Sequence, residues 1–180
     1  MNIALTQREM NIKGWLYDCT SQDWYGFLNK HTLHFVPNTK DFDYTDIDCL
    51  LIPGGESTDN RDRIETFAID LFLKRNKPII GVCHGAFFLN NYFGGTNGTI
   101  NGHKGTNHKI KLEGEEPYVA SYHSTSIEIL GDCLEPIAWD LQDNIEGFKH
   151  NELSIWGLVW HPERMTSPVL PADLEEFLNV

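Results

Sequence analysis

Apolar residues fall in short runs at residues 3–6, 33–37, 49–52 and 78–82, built largely from Leu, Ile and Val. Runs of four or five residues bounded by polar or Gly/Pro-containing segments predict buried strands rather than helices. Between them the apolar positions return at helical spacing, near residues 24–29 and 64–74 and again from about 86 to 93. Further on, residues 108–112, 118–121, 145–150 and 155–160 are strand-rich with Pro, Gly and Asn at their joints, and residues 172–178 close the chain as a helix. Strands alternating with helices imply right-handed βαβ units and a parallel sheet covered on both faces. The expected class is α/β, a flavodoxin-like, mostly parallel sheet flanked by helices, with its ligand site at the carboxyl ends of the strands. No linker, repeat or low-complexity tract interrupts residues 1–180, which are expected to form a single domain.

The string Pro78-Ile79-Ile80-Gly81-Val82-Cys83-His84-Gly85 adds chemistry to this pattern. A strand that ends in Gly-x-Cys-x-Gly and leads into a helix has the layout of a nucleophile elbow. Gly81 and Gly85 relieve the crowding of strand against helix, and the helix N-terminus favours negative charge on the sulfur, so a thiol more acidic than a free one is expected. Near the C-terminus an apolar strand carries His161 to the sheet end, where Pro162 stops the ladder because it lacks an N–H. Residues two apart on an extended segment point the same way, so Glu163 reaches the His161 imidazole. Cys83, His161 and Glu163 thus supply a nucleophile, a base and an orienter.

Other motifs carry less. Pro53-Gly54-Gly55-Glu56-Ser57-Thr58 follows a strand but has neither a Gly-Lys-Ser/Thr ending nor Gly-x-Gly-x-x-Gly spacing, which excludes the usual phosphate-binding fingerprints. It lies one βα unit before Cys83, where its N–H groups can meet an oxyanion. His31-x-x-His34 and the pair His103 and His108 have loose ligand-like spacing, but no cysteine or carboxylate set accompanies them, so no metal is expected. His108 is instead expected to border the active-site cleft. Trp15 and Trp24 lie in the N-terminal part, where a leaving group could stack.

Composition narrows the setting. The chain has 41% hydrophobic and 22% charged residues, a globular balance, and a formal charge of -12 with no basic stripe, which argues against a nucleic-acid partner. Cys19, Cys49, Cys83 and Cys133 show no C-x-x-C spacing. A free catalytic thiol suits a reducing cytosol, and neither a signal peptide nor a stretch of membrane-spanning length is present, so a cytoplasmic location away from membranes is expected.

Four ordered motifs, Leu51-Ile52-Pro53-Gly54-Gly55, Gly81-Val82-Cys83-His84-Gly85, Ser121-Tyr122-His123-Ser124 and Trp160-His161-Pro162-Glu163, resemble the class I (triad) glutamine amidotransferases and their free-standing relatives, the γ-glutamyl hydrolases. The resemblance is clear from about residue 47 to 163 and looser before it. It implies a catalytic triad of Cys83, His161 and Glu163, an oxyanion hole from the N–H groups of Gly55 and His84, and substrate contacts from Gly54, Glu56, Phe87, Ser121, Tyr122 and His123. It also implies acyl transfer to water through a thioester, with no cofactor. The family pattern often places a glutamine where Phe87 stands, so the glutamyl group is expected to sit differently here. Segments 90–95, 100–103 and 145–150 and His161-Pro162-Glu163-Arg164 look like the hydrolase branch that acts in surface-polysaccharide clusters. That likeness implies a small, nucleotide-linked substrate of the γ-glutamyl-CDP-amidate type, with Arg8 and Lys104 as candidate diphosphate partners. A synthetase partner taking up ammonia, a homodimer, or a binding module without chemistry are the other readings it leaves.

Overall fold

The computed structural model describes residues 1–39 and 41–180. In chain order the elements are β1 (Asn2–Thr6), β2 (Arg8–Ile12), β3 (Trp15–Cys19), α1 (Asp23–Phe27), β4 (Thr32–Val36), β5 (Cys49–Ile52), α2 (Asp59–Lys74), β6 (Ile79–Val82), α3 (His84–Tyr92), β7 (Thr96–Thr99), β8 (Lys104–Leu112), β9 (Tyr118–Tyr122), β10 (Thr125–Ile129), β11 (Leu134–Asp140), β12 (Ile145–His150), β13 (Ile155–Leu158) and α4 (Ala172–Leu178). Among the described residues, nine strands form one sheet in the order β4-β1-β5-β6-β13-β12-β11-β8-β9. The first five are mutually parallel, and the remaining four continue the sheet antiparallel. The α/β architecture with helices on both faces is the one the hydrophobic pattern predicts.

Strand periodicity sorts the core into two layers. Ile3 and Leu5 of β1, Cys49 and Leu51 of β5, and Ile80 and Val82 of β6 pack on one face with Trp24, Leu28, Leu174 and Leu178. The alternate residues Ala4, Leu50, Ile52 and Ile79 pack on the other with Ile64, Ala68, Ile69 and Phe72 of α2 and Ala86 and Leu89 of α3. Side chains on a strand alternate between faces, so each central strand feeds both layers and reads as a continuous apolar run. Helix α2 starts five residues before the predicted residue 64. Thr58 caps it by accepting from the Arg61 N–H, and Asp59 and Asp62 suit the positive end of its dipole.

Three features depart from the predicted elements. β2 and β3 form a hairpin just after β1, with Trp15, Leu16 and Tyr17 exposed. Because neither face of this hairpin is consistently buried, it carries no core period. β7 pairs with β10 in a separate ribbon of mostly polar residues, and β11 contains Pro136 and the exposed Glu135. Among the described residues, no helix is long and apolar enough to cross a membrane.

Candidate active site

Strand β6 ends just before Cys83, whose backbone adopts φ 53° and ψ -105°, and α3 begins at the next residue. A positive φ at a non-glycine residue is a strained conformation that persists only when its surroundings impose it. The surroundings here are tight. A Cβ on Gly85 would lie 2.0 Å from the Ile52 carbonyl oxygen, and one on Gly81 would lie 2.5 Å from that of Gly85. Only glycine lets α3 approach the ends of β5 and β6 this closely.

The Cys83 thiol is less acidic than the sequence suggests. Burial pushes it up to about 12, the His84 main-chain N–H pulls against that, and the Glu163 charge adds to the rise. Loss of solvent around a buried thiolate outweighs the nine-residue helix behind it. The sulfur therefore rests as the thiol.

The base expected from the sequence, His161, is held by a carboxylate. The His161 Nδ1 and Glu163 Oε1 atoms are 2.7 Å apart, and both side chains are buried. A carboxylate only accepts, so Nδ1 carries the proton and Nε2 is left free. Glu163 sits in a single 3-10 turn, Pro162–Arg164, that follows β13, and the His161 N–H donates to the Ala120 carbonyl of β9 at 2.9 Å. The Tyr122 ring stands edge-on to the imidazole at 5.6 Å, and the Arg164 guanidinium lies over Tyr122 at 4.5 Å. His161 and Cys83 converge on Gly54, where a Cβ would fall 2.7 Å from His161 Cε1 and 3.4 Å from Cys83 Cβ.

A cavity of about 840 Å³ opens beside the cysteine and is lined by Gly55, Glu56, Cys83, His84, Phe87, Lys104, Tyr122 and His123. Most of the expected substrate contacts thus share one hollow with the nucleophile. Four lie elsewhere. Gly54 and Arg8 border a narrow cleft with His161 and Glu163. Arg8 and Lys104 therefore line neighbouring hollows, Arg8 lying against Gly55 of the cavity wall. The Ser121 hydroxyl is fully buried and donates to the His103 carbonyl at 2.6 Å, so it holds the chain rather than a ligand. His108 packs against His103, with ring centres 4.1 Å apart, and not along the cavity wall. Of the two tryptophans, Trp15 is 73% exposed on the hairpin and Trp24 is buried in the core.

Two polar clusters assemble only in the folded chain. Arg61 and Glu65, both fully buried, pair across one turn of α2 at 2.7 Å. Arg61 also donates to the carbonyls of Pro53 and Glu56, while Glu65 accepts from the Thr6 hydroxyl and faces His84 Nε2 at 2.8 Å. Burial alone would raise the Glu65 carboxyl, but its bonds from His84 and Arg61 hold it below the usual carboxylate range. The cluster ties the 53–56 turn to residue 84, the two segments flanking Cys83. A signal exists, since Arg61 and Glu65 continue the stripe of Ala68, Ile69 and Phe72 toward the core. The second cluster unites His103, His108, His123 and Glu146. In the sequence, the lack of a nearby carboxylate argues against a metal at the first two of these. Glu146 provides one from β12, which only the sheet pairing brings near.

Comparison with known proteins identifies the chain's relatives. The family model for glutamine amidotransferase class-I matches residues 25–179. The chain is 29% identical to the γ-glutamyl-CDP-amidate hydrolase of Campylobacter jejuni, over 82% of this chain and 81% of that one. It is 32% identical to aminodeoxychorismate synthase component 2 of Serratia marcescens, over 72% and 75% respectively. A crystal structure of a glutamine amidotransferase from Thermotoga maritima superposes with a TM-score of 0.71 at 14% identity, covering 90% of this chain and 76% of that one.

Proposed function

Since the chain belongs to the class I glutamine amidotransferase family, we propose that it is a cytoplasmic, single-domain cysteine hydrolase that cleaves a γ-glutamyl amide and releases glutamate. The observation that carries this reading is the strained Cys83 beside a buried, carboxylate-oriented His161, both packed on Gly54. In this scheme His161 Nε2 takes the thiol proton as Cys83 Sγ attacks the γ-carbonyl carbon. The N–H groups of Gly55 and His84 receive the oxyanion. The C–N bond then breaks, His161 passes its proton to the departing nitrogen, and a γ-glutamyl thioester remains. Water deprotonated by His161 attacks the thioester, glutamate leaves, and the thiol is restored. Because burial keeps the sulfur protonated, proton removal and attack belong to one step.

The leaving group we favour is nucleotide-linked, of the γ-glutamyl-CDP-amidate type used in capsule phosphoramidate synthesis. Similarity to the Campylobacter jejuni hydrolase supports this, as does a cavity of about 840 Å³, larger than a glutamyl group needs and carrying Lys104 for an anionic leaving group. A second reading makes the chain the glutaminase subunit of a synthetase. It is favoured by similarity to aminodeoxychorismate synthase component 2 and by the exposed Ile12, Trp15 and Tyr17, which share one face of the hairpin that follows β1, an apolar face suited to a partner.

Glutamate release from L-glutamine, γ-glutamyl-γ-aminobutyrate and γ-glutamyl-CDP-amidate separates the two. Fast release from a conjugate, lowered on the order of 10⁴-fold or more by Cys83→Ala, is expected. Silence on all three by the isolated chain would favour the second reading.

A further inference from the structure

His103 precedes β8, His108 lies within it, His123 follows β9, and Glu146 belongs to β12. One side-chain atom of each lies within 4.8 Å of the others. All are buried except His108, which is partly exposed.

The outer nitrogens of the three imidazoles already face acceptors. His108 Nδ1 meets the Lys109 carbonyl at 3.1 Å, His123 Nδ1 meets the Thr125 carbonyl at 2.7 Å, and His103 Nε2 lies 3.3 Å from Asp140 Oδ2. Carbonyls and carboxylates cannot donate, so these nitrogens hold the protons. In the neutral rings the inner nitrogens, His103 Nδ1, His108 Nε2 and His123 Nε2, are then lone pairs, while the Glu146 and Asp140 carboxylates favour a second proton on His103. The inner nitrogens converge on the Glu146 carboxylate at 3.1, 3.8 and 3.5 Å. Those three nitrogens and Glu146 Oε2 are buried without a hydrogen-bond partner among the described residues. Converging imidazole lone pairs and a carboxylate repel one another unless a cation, a proton or a metal ion, sits between them.

We propose that His103, His108, His123 and Glu146 form a closed structural site for one divalent transition-metal ion, zinc by preference. Tetrahedral zinc with bonds of about 2.0–2.1 Å places its ligand atoms about 3.3 Å apart, within the span of the distances above. Three imidazoles and one carboxylate suit zinc and disfavour magnesium or calcium, which take oxygen ligands. With four protein ligands no position is left for a reacting water, so the role is structural. Asp140 completes a carboxylate–histidine–metal arrangement behind His103, and is itself fixed by the N–H groups of Gln142 and Asn144. The Asp62, Glu65 and His84 cluster differs, because Arg61 already supplies its cation. The bound ion would clamp the end of β9, where Tyr122 stands edge-on to His161, and the segment after it, where His123 lines the cavity.

The test begins with the full chain grown in zinc-supplemented medium, dialysed and assayed for metal by mass spectrometry. About one zinc per chain is expected. It should be lost in His108→Ala and Glu146→Ala and kept in the His31→Ala/His34→Ala double variant, while Asp140→Asn should weaken zinc binding about 10–100-fold. Chelator-stripped wild-type protein titrated with cobalt(II) should develop the intense visible bands of four-coordinate cobalt. That measurement needs no substitution and so stands even if a variant fails to fold. Trace zinc in the wild type together with no tetrahedral cobalt spectrum would overturn the proposal. Zinc content unchanged in folded His108→Ala and Glu146→Ala proteins would do the same.

Discussion

Gly54 shows how much of the site turns on single residues. Its missing Cβ leaves room for His161 Cε1, which a methyl group would meet at 2.7 Å. Gly54→Ala is expected to lower kcat about 10²-fold, because a displacement of about 1 Å in the base misaligns proton transfer, while far-UV circular dichroism stays unchanged. Undiminished turnover would mean that the imidazole works from elsewhere. At Cys83 the buried thiol predicts slow alkylation by iodoacetamide near neutral pH, with a rate rising about tenfold per pH unit. A plateau already reached at neutral pH would indicate a resting thiolate. The elbow and the His-Pro-Glu string can be read from sequence because each is a local pattern of contiguous residues. The acidity of the thiol cannot, because it depends on how thoroughly the assembled fold excludes water from the sulfur.

Helix α2 acts as a positioning element as well as a core helix. Its buried Arg61 and Glu65 bond to the turn after β5, to Thr6 of β1 and to His84 at the start of α3. Removing one member strands a buried charge, so Glu65→Ala should cost about 3–5 kcal/mol in urea unfolding. The double variant Arg61→Met/Glu65→Met should recover most of that stability yet reduce turnover, since apolar side chains cannot hold the 53–56 turn. If both variants retain full turnover, the cluster serves stability alone. Helical spacing places Arg61 and Glu65 on the inward stripe, but only the packed neighbours reveal what they bind. The β2–β3 hairpin is the opposite case, an element whose exposed faces leave no periodic trace in the sequence.

Acid stability is a property of the whole molecule to which Glu65 contributes with a definite sign. Its carboxyl in the folded protein lies below the usual range, and in the unfolded chain it titrates near about 4.3. The stabilisation is therefore fully present above that value and is lost as pH falls through the lower folded-state value. The stability gap between wild type and Glu65→Gln is expected to be constant near neutral pH and to shrink on acidification, as read by denaturant titrations at a series of pH values. A gap that widens in acid would mean the carboxyl is raised, not lowered, on folding.

The sequence by itself determined the parallel half of the sheet, the order of its strands and helices, and the strings that carry Cys83, His161 and Glu163. Those features rest on contiguous residues, on periods of two and 3.6, and on turn chemistry, all local properties of the chain. Tertiary structure decided what lies between distant segments. Pairing of β8 with β9 and β11, and of β11 with β12, gathers three histidines and Glu146 from four places in the chain. The antiparallel half withdraws Ser121 from the cavity and sends His108 to that cluster, while Arg8 borders the neighbouring cleft. Sequence spacing cannot encode such meetings, because they follow from which strand edges pair and which groups burial deprives of water.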